Sequence, residues 1–554
     1  MKIKKIRISG YRSIKETIEL ELGDVNALIG ANNVGKTNIL NAIWSVLGKD
    51  WVTVNSFDES DVFRNEFDQD IDIEVEFEEP YKYESYKGAD PVDVPQINFR
   101  YTRYKVGEFE GQRRLEKKCL NASGQPVQVL SKKPQKGEKR QYQPLISIPQ
   151  QIQESIPVIY IGANRELKYQ LPESKNSLLG SLLADVNKDF QDPENKMKVT
   201  NKQGEEVEVS RVERFNQCIK AAIEALKTED FLALEKTIRD NALLQLGIDP
   251  EHSGLNVFFQ PLTSLDFYKS LNIFVEENGF SLNATSLGGG FQNALVIAIL
   301  KAFEERKKSG AVFLIEEPEM FLHPQMQRSL YKTIRKIGAT NQVIYTTHSP
   351  HFVTIPEYDE IILVSKNDSG TKRRKSSLPK TTELEQKLRK ELDPERSEFL
   401  FARRVLFVEG DTEKLALPEY AIREVLDFDG AGGTIVEVGG KRNLQMMADI
   451  ALSFDISTGI IFDTDSSDFS DKTEEKEFNE LLDGYSKKGA KVWKFEKNYE
   501  EELKKALTDS VYQAACQKYP KTSKAIKARL IAQDATYSVP DFIKPIIKWL
   551  ANKE

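Results

Sequence analysis

Cysteine, histidine and long apolar runs are scarce in this chain of 554 residues, which has three cysteines and four histidines. Cys119, Cys218 and Cys516 are widely separated, which excludes a disulfide framework and a cysteine-rich zinc site. No apolar run approaches the roughly 18 residues of a membrane-spanning helix, and the N-terminus lacks the apolar block of a signal peptide. The sequence therefore predicts a cytoplasmic protein that does not enter a membrane.

The chain also lacks a basic excess, because 78 lysines and arginines face 86 aspartates and glutamates, for a net charge of −8. This balance excludes a uniformly basic nucleic-acid coat but is compatible with a local basic groove. Hydrophobic residues at 40% and charged residues at 30% are typical of a globular protein. A chain of this length exceeds one hydrophobic core, so about two to four domains are expected.

A phosphate-binding loop is indicated near the N-terminus. Residues 30–37 match the pattern G-x-x-x-x-G-K-[ST], follow an apolar strand at 25–29 and open a helix. The glycines let backbone amides surround a phosphate, Lys36 neutralises β- and γ-phosphate oxygens, and Thr37 can bind Mg²⁺. A chance glycine-rich turn is the alternative, but motif and context agree, and we predict an ATP site. The predicted nucleotide-binding residues are Gly30, Asn32, Asn33, Gly35, Lys36, Thr37 and Asn38.

An acidic strand end, which a phosphate-binding loop requires opposite it, is found at residues 312–317. Four apolar residues are followed by Glu316 and Glu317. We predict that Glu316 binds the Mg²⁺ of the nucleotide and that Glu317 orients or deprotonates the attacking water. The alternative is that both acids cap a helix. Glutamate at 316, where aspartate is usual, adds one methylene to the predicted metal ligand.

Two further segments resemble those of ABC-type ATPases. Residues 285–292, Thr-Ser-Leu-Gly-Gly-Gly-Phe-Gln, resemble the signature loop that caps the γ-phosphate of the partner subunit, which would make Ser286 and Gly288 nucleotide contacts. His348 ends the next apolar strand, where such proteins keep a γ-phosphate sensor. Taken alone, the glycines are a weak turn signal and a single histidine is usually structural.

Carboxylates also follow two apolar strands in the C-terminal part. Glu409 follows residues 405–408, whereas Asp463 and Asp465 follow residues 459–462. Parallel strand ends that meet at one edge would bring these acids together, and a divalent cation, Mg²⁺ or Mn²⁺, would offset their charge. Glu413 lies one turn along the following helix and can point to the same site. The alternative is two unrelated strand ends with solvated acids.

This pairing of strand ends resembles the signature of a Toprim domain, the metal-binding fold of topoisomerases, primases and some nucleases. An ABC-type ATPase head followed by a Toprim domain resembles the OLD (overcoming lysogenisation defect) family, which includes the nuclease subunit of Gabija-type anti-phage systems. The resemblance covers nearly the whole chain. It is carried by the segments 30–37, 286–292, 316–324, 346–350, 401–410 and 463–465.

The resemblance implies site residues and an activity. Glu409, Glu413, Asp463 and Asp465 would bind metal ions, and Glu500 would be a ligand of a second ion. Lys524 would stabilise the transition state, with Lys527 as the alternative. The implied activity is Mg²⁺- or Mn²⁺-dependent cleavage or nicking of double-stranded DNA, controlled by ATP-bound dimeric heads, in defence against phage.

The predicted fold class is α/β, with a P-loop ATPase head that contains an inserted helical region and is followed by a C-terminal Toprim domain. The head would comprise residues 1–177 and 251–380, interrupted by a helical insertion at 178–250. Position and resemblance make the insertion a candidate subunit contact in a homodimer or a higher homo-oligomer. A connecting helix at 381–400 would lead to the Toprim domain at 401–554.

Three functional hypotheses follow. The first is an ATP-regulated, metal-dependent DNA endonuclease. The second is an ATP-driven DNA clamp or a repair ATPase of the chromosome-maintenance type, in which the C-terminal region only binds DNA. The third is an effector that stays silent until a helicase, retron or other defence-system partner releases it. The acids of the C-terminal strand ends favour the first hypothesis, because a clamp has no need of them.

Overall fold

The structure is a computed structural model. It describes residues 1–48, 52–131, 141–163, 167–172, 177–200, 204–246, 262–277, 279–306, 310–353, 358–379, 381–464, 473–520 and 522–553. The chain divides into one unit formed by Met1–Ala163 with Ser309–Glu554 and a second unit, Asn164–Lys308. Within the described residues, each helix falls short of the length and apolar character needed to cross a bilayer.

The N-terminal part of the first unit is rich in strands. Its strands are β1 (Ile3–Ser9), β2 (Ile18–Glu21), β3 (Val25–Ile29), β4 (Ile71–Tyr83), β5 (Val92–Arg103), β6 (Arg113–Leu120), β7 (Gln128–Leu130), β8 (Tyr142–Pro144) and β9 (Val158–Ile161), and its helices are α1 (Lys36–Leu47) and α2 (Gln150–Glu154). An antiparallel five-stranded sheet has the order β2-β1-β4-β5-β6. Its apolar side chains, spaced every second residue, are buried against α1.

The second unit is mainly helical. It contains α3 (Leu178–Gln191), β10 (Lys196–Thr200), β11 (Glu206–Ser210), α4 (Arg211–Leu226), α5 (Glu229–Leu246), α6 (Ser264–Lys269), β12 (Phe274–Glu277), β13 (Phe280–Asn283) and α7 (Gly289–Arg306). The segment predicted as a helical insertion therefore includes the antiparallel pair β10 and β11 between two helices. Phe190, Phe215 and Phe267 pack edge to face within this unit, with ring centroids 5.4 to 5.9 Å apart.

The head continues after the second unit with β14 (Val312–Ile315), α8 (Pro324–Gly338), β15 (Gln342–Thr346), β16 (Ile361–Asn367), β17 (Gly370–Lys375) and α9 (Thr382–Glu391). These strands join β3 and β9 in a six-stranded sheet of order β17-β16-β3-β15-β14-β9. All its pairings are parallel except that of β16 with β17. The phosphate-binding loop, Glu316 and His348 follow β3, β14 and β15, so they lie at the same carboxyl edge of this sheet.

The C-terminal domain is a second α/β layer. It contains β18 (Arg404–Val408), α10 (Asp411–Arg423), β19 (Gly433–Glu437), α11 (Lys441–Ser453), β20 (Ser457–Asp463), α12 (Thr473–Asp483), β21 (Lys491–Phe495), α13 (Tyr499–Leu507), α14 (Asp509–Lys518), α15 (Lys524–Gln533) and α16 (Lys544–Leu550). Its four strands are parallel in the order β19-β18-β20-β21. Because β18 and β20 are neighbours, the residues that follow them meet at one edge of the sheet.

Polar and charged contacts join the head to the C-terminal domain within the first unit. The Arg374 guanidinium lies 2.8 Å from the Asp455 carboxylate, and the hydroxyls of Ser376 and Ser453 share a hydrogen bond of 2.9 Å. Both contacts link the end of β17 and its following loop to the region around the end of α11. The ATPase sheet and the C-terminal sheet are therefore parts of one packed body.

Gly459 provides a test of packing in the C-terminal core. A Cβ at this position would lie 2.7 and 2.8 Å from two ring carbons of Trp549. We expect Gly459→Ala to lower the free energy of unfolding of this domain by about 1–3 kcal/mol, because the indole is held in the core and must shift. Denaturant unfolding followed by the fluorescence of Trp493 and Trp549, whose ring centroids are 5.4 Å apart, measures the change.

Gly484→Ala is the matched control, since a Cβ there would meet no atom within 4 Å. Its effect on stability should stay within about 0.5 kcal/mol. Equal stabilities of the two variants would contradict the packing argument.

Candidate functional site

The phosphate-binding loop has a backbone conformation that only glycine adopts easily. Gly30 and Gly35 have φ angles of 136° and 109°, and a Cβ would lie 2.1 Å from the carbonyl oxygen of Val364 at the first and 2.4 Å from Thr371 Oγ1 at the second. Asn32 and Asn33 are exposed at the tip of the loop, and Asn33 has a φ of 61°. The loop can therefore approach a phosphate closely with its backbone.

The side chain of Lys36 folds back over the phosphate-binding loop. Its Nζ donates hydrogen bonds of 2.8 Å to the carbonyl oxygens of Gly30 and Ala31. Burial lowers the pKa of Lys36 to about 8, an effect that the charges of Glu317 and Glu319 partly offset. Nucleotide phosphates would supply the negative charge that favours the protonated lysine. The phosphate-binding loop therefore fits a nucleoside triphosphate. Thr37 is exposed at the first turn of α1.

Asn38, predicted to contact the nucleotide, contacts the N-terminal region. Its side-chain amide donates to Ser13 Oγ at 2.7 Å, and Ser13 Oγ lies 2.8 Å from Thr371 Oγ1. Thr371 in turn donates to the carbonyl oxygen of Val34 at 2.8 Å. The structure therefore gives Asn38 a place in a hydrogen-bond chain that supports the loop from behind.

The acids after β14 are held by hydrogen bonds to the neighbouring strands β9 and β15. Glu316 Oε2 accepts a bond of 3.1 Å from the amide of Ala163, at the end of the neighbouring strand β9. Glu317 has a φ of 41°, and its amide donates to Thr346 Oγ1 at 3.0 Å. A residue in this left-handed conformation stores strain, which is typical of active sites.

His348 faces the second of these acids. Its Nε2 lies 3.8 Å from Glu317 Oε1. Burial lowers the pKa of His348, and the nearby charge of Lys36 lowers it further. The imidazole is therefore neutral near pH 7, so one nitrogen can donate a hydrogen bond to an oxygen and the other can accept one. The structure brings Lys36, Glu317 and His348 to one edge, as the sequence motifs predict.

Glu319 also belongs to the candidate site, although the sequence motifs assign it no role. It is 9% exposed, and its Oε1 accepts three bonds from the segment after β15: from Thr347 Oγ1 at 2.8 Å, from the amide of His348 at 2.6 Å and from the amide of Ser349 at 3.2 Å. These bonds fix the backbone that carries the imidazole. The sequence does contain a signal for Glu319. It is the third acid of Glu-Glu-Pro-Glu, which follows a buried strand.

Residues 285–292, which resemble the signature loop, lie in the second unit and form a tight turn at the start of α7. Ser286 Oγ donates to the carbonyl oxygen of Asn283 at 2.7 Å. The Gln292 side-chain amide donates to the carbonyl oxygens of Thr285 and Leu287, at 2.9 and 2.7 Å. A Cβ at Gly288 would meet no atom within 4 Å. The turn is therefore preformed and exposes its glycine backbone.

The acids of the C-terminal sheet lie around the ends of β18 and β20. The amide of Asp463 donates to Glu409 Oε1 at 2.7 Å. Glu413, on the first turn of α10, is 5% exposed, and burial, with smaller contributions from the charges of Glu409 and Glu500, raises its pKa to about 7. Glu413 is therefore within electrostatic reach of Glu409 and Glu500, and carboxylate oxygens such as theirs suit Mg²⁺ or Mn²⁺.

The structure does not show a closed metal cage. Among the described residues, no group of three or more histidine, cysteine, aspartate or glutamate side chains is close enough to hold an ion. The predicted ligand Asp465 lies outside the described residues. The hard oxygen donors and the raised pKa of Glu413 fit a divalent cation, which would favour the ionised carboxylate.

The two candidate lysines lie on α15. Lys524 Nζ is 4.0 Å from Glu500 Oε1, and its side chain is 82% exposed. Lys527 is one turn further along the helix and half-buried. Lys524 therefore lies beside one predicted metal ligand, Glu500, with its ammonium exposed to solvent.

Comparison with known proteins agrees with this architecture. A model of the AAA ATPase domain matches residues 1–353, and a model described as overcoming lysogenization defect protein-like, TOPRIM domain, matches residues 400–465. The chain belongs to the AAA ATPase domain family. Its TOPRIM match and its similarity to an OLD nuclease and to endonuclease GajA support the predicted OLD family. The predicted family and the predicted order of ATPase head and Toprim domain are confirmed. These two domains imply the use of a nucleotide and a divalent metal ion.

Similar proteins span most of the chain. The OLD nuclease of Thermus scotoductus (strain ATCC 700910 / SA-01) is 27% identical over 489 residues, which are 86% of this chain and 84% of that protein. Endonuclease GajA of Bacillus cereus (strain VD045) is 23% identical over 453 residues, 79% of this chain and 71% of that protein. Among solved structures, the SMC head domain from Thermotoga maritima aligns with 14% identity and a TM-score of 0.30, covering 68% of this chain and 100% of that chain.

The role of Glu319 can be tested with Glu319→Gln. The amide loses the charge that strengthens three hydrogen bonds to the segment carrying His348, so we expect ATP turnover to fall about tenfold or more. Nucleotide affinity should change by less than about threefold, because Glu319 does not belong to the phosphate-binding loop. Steady-state ATPase assays and nucleotide titration measure both quantities.

Glu74→Gln is the control for that experiment, since Glu74 pairs with Arg7 in the antiparallel sheet of the same head. Its ATP turnover should match that of the wild type. A Glu319→Gln protein with normal turnover would show that the bonds to the His348 segment are dispensable.

The raised pKa of Glu413 predicts a pH dependence of stability in the metal-free protein. The pKa of Glu413 is about 7 in the folded protein and has the ordinary value of 4.5 in the unfolded chain. The contribution of its protonated carboxyl to the free energy of unfolding is therefore complete below pH 4.5 and is lost as the pH rises through 7. Glu413→Gln stays neutral, so above pH 7 it should be more stable than the wild type by up to about 3 kcal/mol.

Denaturant unfolding in EDTA at pH 5 and pH 8 checks this expectation. Asp541→Asn, which removes an exposed carboxylate of the same domain, is the control and should keep the pH dependence of the wild type. Identical pH dependence in Glu413→Gln and the wild type would disprove the assignment of the titrating group.

Proposed function

We propose that the protein is an ATP-regulated, divalent-metal-dependent endonuclease that cuts or nicks double-stranded DNA in defence against phage. The proposal is supported by the Asp463 amide, which donates to Glu409 Oε1 at 2.7 Å where the neighbouring strands β18 and β20 end, and by the charges of Glu409 and Glu500, which act on buried Glu413. Such a set of carboxylates is costly to ionise without cations, and it supplies the oxygen ligands that Mg²⁺ and Mn²⁺ take. The family matches and the resemblance to defence nucleases support the same activity.

The family resemblance suggests a role for each Toprim residue. Glu409, Asp463 and, from outside the described residues, Asp465 would hold the first metal ion, with Glu413 beside them and Glu500 toward a second ion. Bound metal ions supply an activated water and stabilise the leaving oxygen in phosphodiester hydrolysis. Lys524, with Lys527 as the alternative, would place positive charge against the phosphate as negative charge develops.

The head would sense and hydrolyse ATP. Lys36 and the loop amides would bind the phosphates, whereas Thr37 and Glu316 would hold Mg²⁺. Glu317 would orient the attacking water, and neutral His348 would donate a hydrogen bond to the γ-phosphate. The exposed turn with Ser286 and Gly288 would cap the nucleotide of a second copy, so ATP would join two heads in a homodimer.

Cleavage of supercoiled plasmid tests the proposal. Wild-type protein should nick or linearise the plasmid in Mg²⁺ or Mn²⁺ and not in EDTA, and Asp463→Ala should reduce the rate by about 100-fold or more, because a metal ligand is lost. Lys36→Ala should abolish ATP turnover while metal-dependent cutting persists, because the two sites share no residues. Agarose gels and phosphate release measure the two activities.

Asp541→Ala is the control for Asp463→Ala, because its exposed carboxylate lies in the same domain and pairs with Lys544. It should cut at the wild-type rate. If Asp463→Ala cut as fast as the wild type while hydrolysing ATP normally, the nuclease assignment to this edge of the sheet would fail.

A further inference from the structure

Lys441 is a buried lysine at the edge of the Toprim sheet to which the sequence motifs assign no role. It is the first residue of α11 and follows Gly439 and Gly440, whose φ angles are 74° and 118°. The amide of Gly440 donates to the carbonyl oxygen of Glu409 at 2.9 Å, which ties this turn to the end of β18. The Lys441 side chain is 8% exposed. A buried ammonium is costly unless it is paired, so its partners are informative.

The ammonium of Lys441 joins two further elements at this edge. Its Nζ donates to the carbonyl oxygen of Asp463, at the end of β20, and to Glu475 Oε1 at 2.6 Å, on the first turn of α12. The ring of Phe462 lies beneath it, with the centroid 5.6 Å away. Lys441 therefore neutralises Glu475 and binds the backbone of a predicted metal ligand at the same time.

The backbone of Asp463 is held on both sides by charged side chains. Its amide donates to Glu409 Oε1, and its carbonyl oxygen accepts from Lys441. The next residue is also fixed, because the amide of Thr464 donates to the carbonyl oxygen of Phe495 at 3.0 Å and its own carbonyl accepts from Asn479 Nδ2 at 3.0 Å. These bonds set the direction in which the Asp463 carboxylate leaves the strand.

We propose that Lys441 is a positioning residue of the Toprim metal centre, which holds the Asp463 backbone so that its carboxylate is preorganised for a divalent cation. The inference rests on the proposed metal-dependent nuclease function. Groups that orient metal ligands raise metal affinity without touching the ion. Lys441 acts through Asp463 and thus differs from Lys524, whose exposed ammonium lies beside Glu500.

Arg442 is a natural comparison for Lys441. It donates to Glu475 Oε2 at 3.2 Å, and its side chain is 58% exposed. Its guanidinium carbon lies 4.4 Å from the ring centroid of Phe478. The two neighbours share the contact with α12, whereas the bond to the Asp463 carbonyl belongs to Lys441. Substituting Arg442 therefore removes contacts with α12 alone, whereas substituting Lys441 also removes the bond to the Asp463 carbonyl.

Mn²⁺ binding to the nucleotide-free, full-length protein tests the assignment. Lys441→Met should weaken Mn²⁺ binding, measured by electron paramagnetic resonance of the free ion, by about tenfold or more. Arg442→Met should remain within about twofold of the wild type, since it leaves the Asp463 backbone held. Plasmid nicking by Lys441→Met should recover as the Mn²⁺ concentration is raised, because the substitution lowers the affinity for Mn²⁺. Lys441→Gln, whose uncharged amide ends one bond short of the lysine ammonium, carries the same expectation should Lys441→Met fail to fold.

Unchanged Mn²⁺ affinity in a folded Lys441→Met or Lys441→Gln protein would overturn the assignment. Nicking that stays absent at saturating Mn²⁺ would also overturn it, because a positioning role predicts recovery. Denaturant unfolding of the same preparations reports that the C-terminal domain is folded. Wild-type protein that binds no Mn²⁺ and leaves the plasmid intact would instead overturn the proposed nuclease function itself, and these results are distinguishable.

Discussion

Negative charge gathered at the carboxyl ends of parallel strands is the constraint on which the structure of both domains depends. Parallel pairing brings successive strand ends to one edge, and this chain places acids there twice, after β14 in the head and after β18 and β20 in the Toprim domain. Burial disfavours the ionisation of such carboxylates and neighbouring acids add to the effect, in agreement with the raised pKa of Glu413. Fixed donors offset part of that cost, among them the amides of Ala163 and Asp463, which bond to the carboxylates of Glu316 and Glu409.

Much of this arrangement could be predicted from the sequence, because its signals are local. An apolar run that ends in a residue capable of chemistry marks a buried strand and its exit, and β3, β14, β15, β18 and β20 all end in this way. The rule that parallel strand ends share an edge then groups the motifs without coordinates. The phosphate-binding loop needs even less, since its glycines, lysine and hydroxyl lie within eight consecutive residues.

Contacts between segments that are distant in sequence could not be predicted. Glu319 bonds to residues 28 to 30 positions further along, and Lys441 bonds to residues 22 and 34 positions away. The bonding partners of Glu319 and Lys441 cannot be inferred from a sequence motif. They depend on how the loop after one strand packs against the loop after the neighbouring strand. The strand pair β10 and β11 is different: Met197 and Val199 alternate with polar residues, so a period-two signal was available inside the segment predicted to be helical.

The short segment after β14 bonds twice to the strand beside it, through the amide of Glu317 to Thr346 and through the carboxylate of Glu319 to the backbone around His348. The acid that would orient water and the histidine that faces it therefore form a single rigid piece, although they belong to different loops. Exchanging either loop alone with that of a related head would leave a buried carboxylate or a pair of buried amides without counterparts. Chimeric enzymes built on this scaffold should transfer residues 316–319 and 346–349 together.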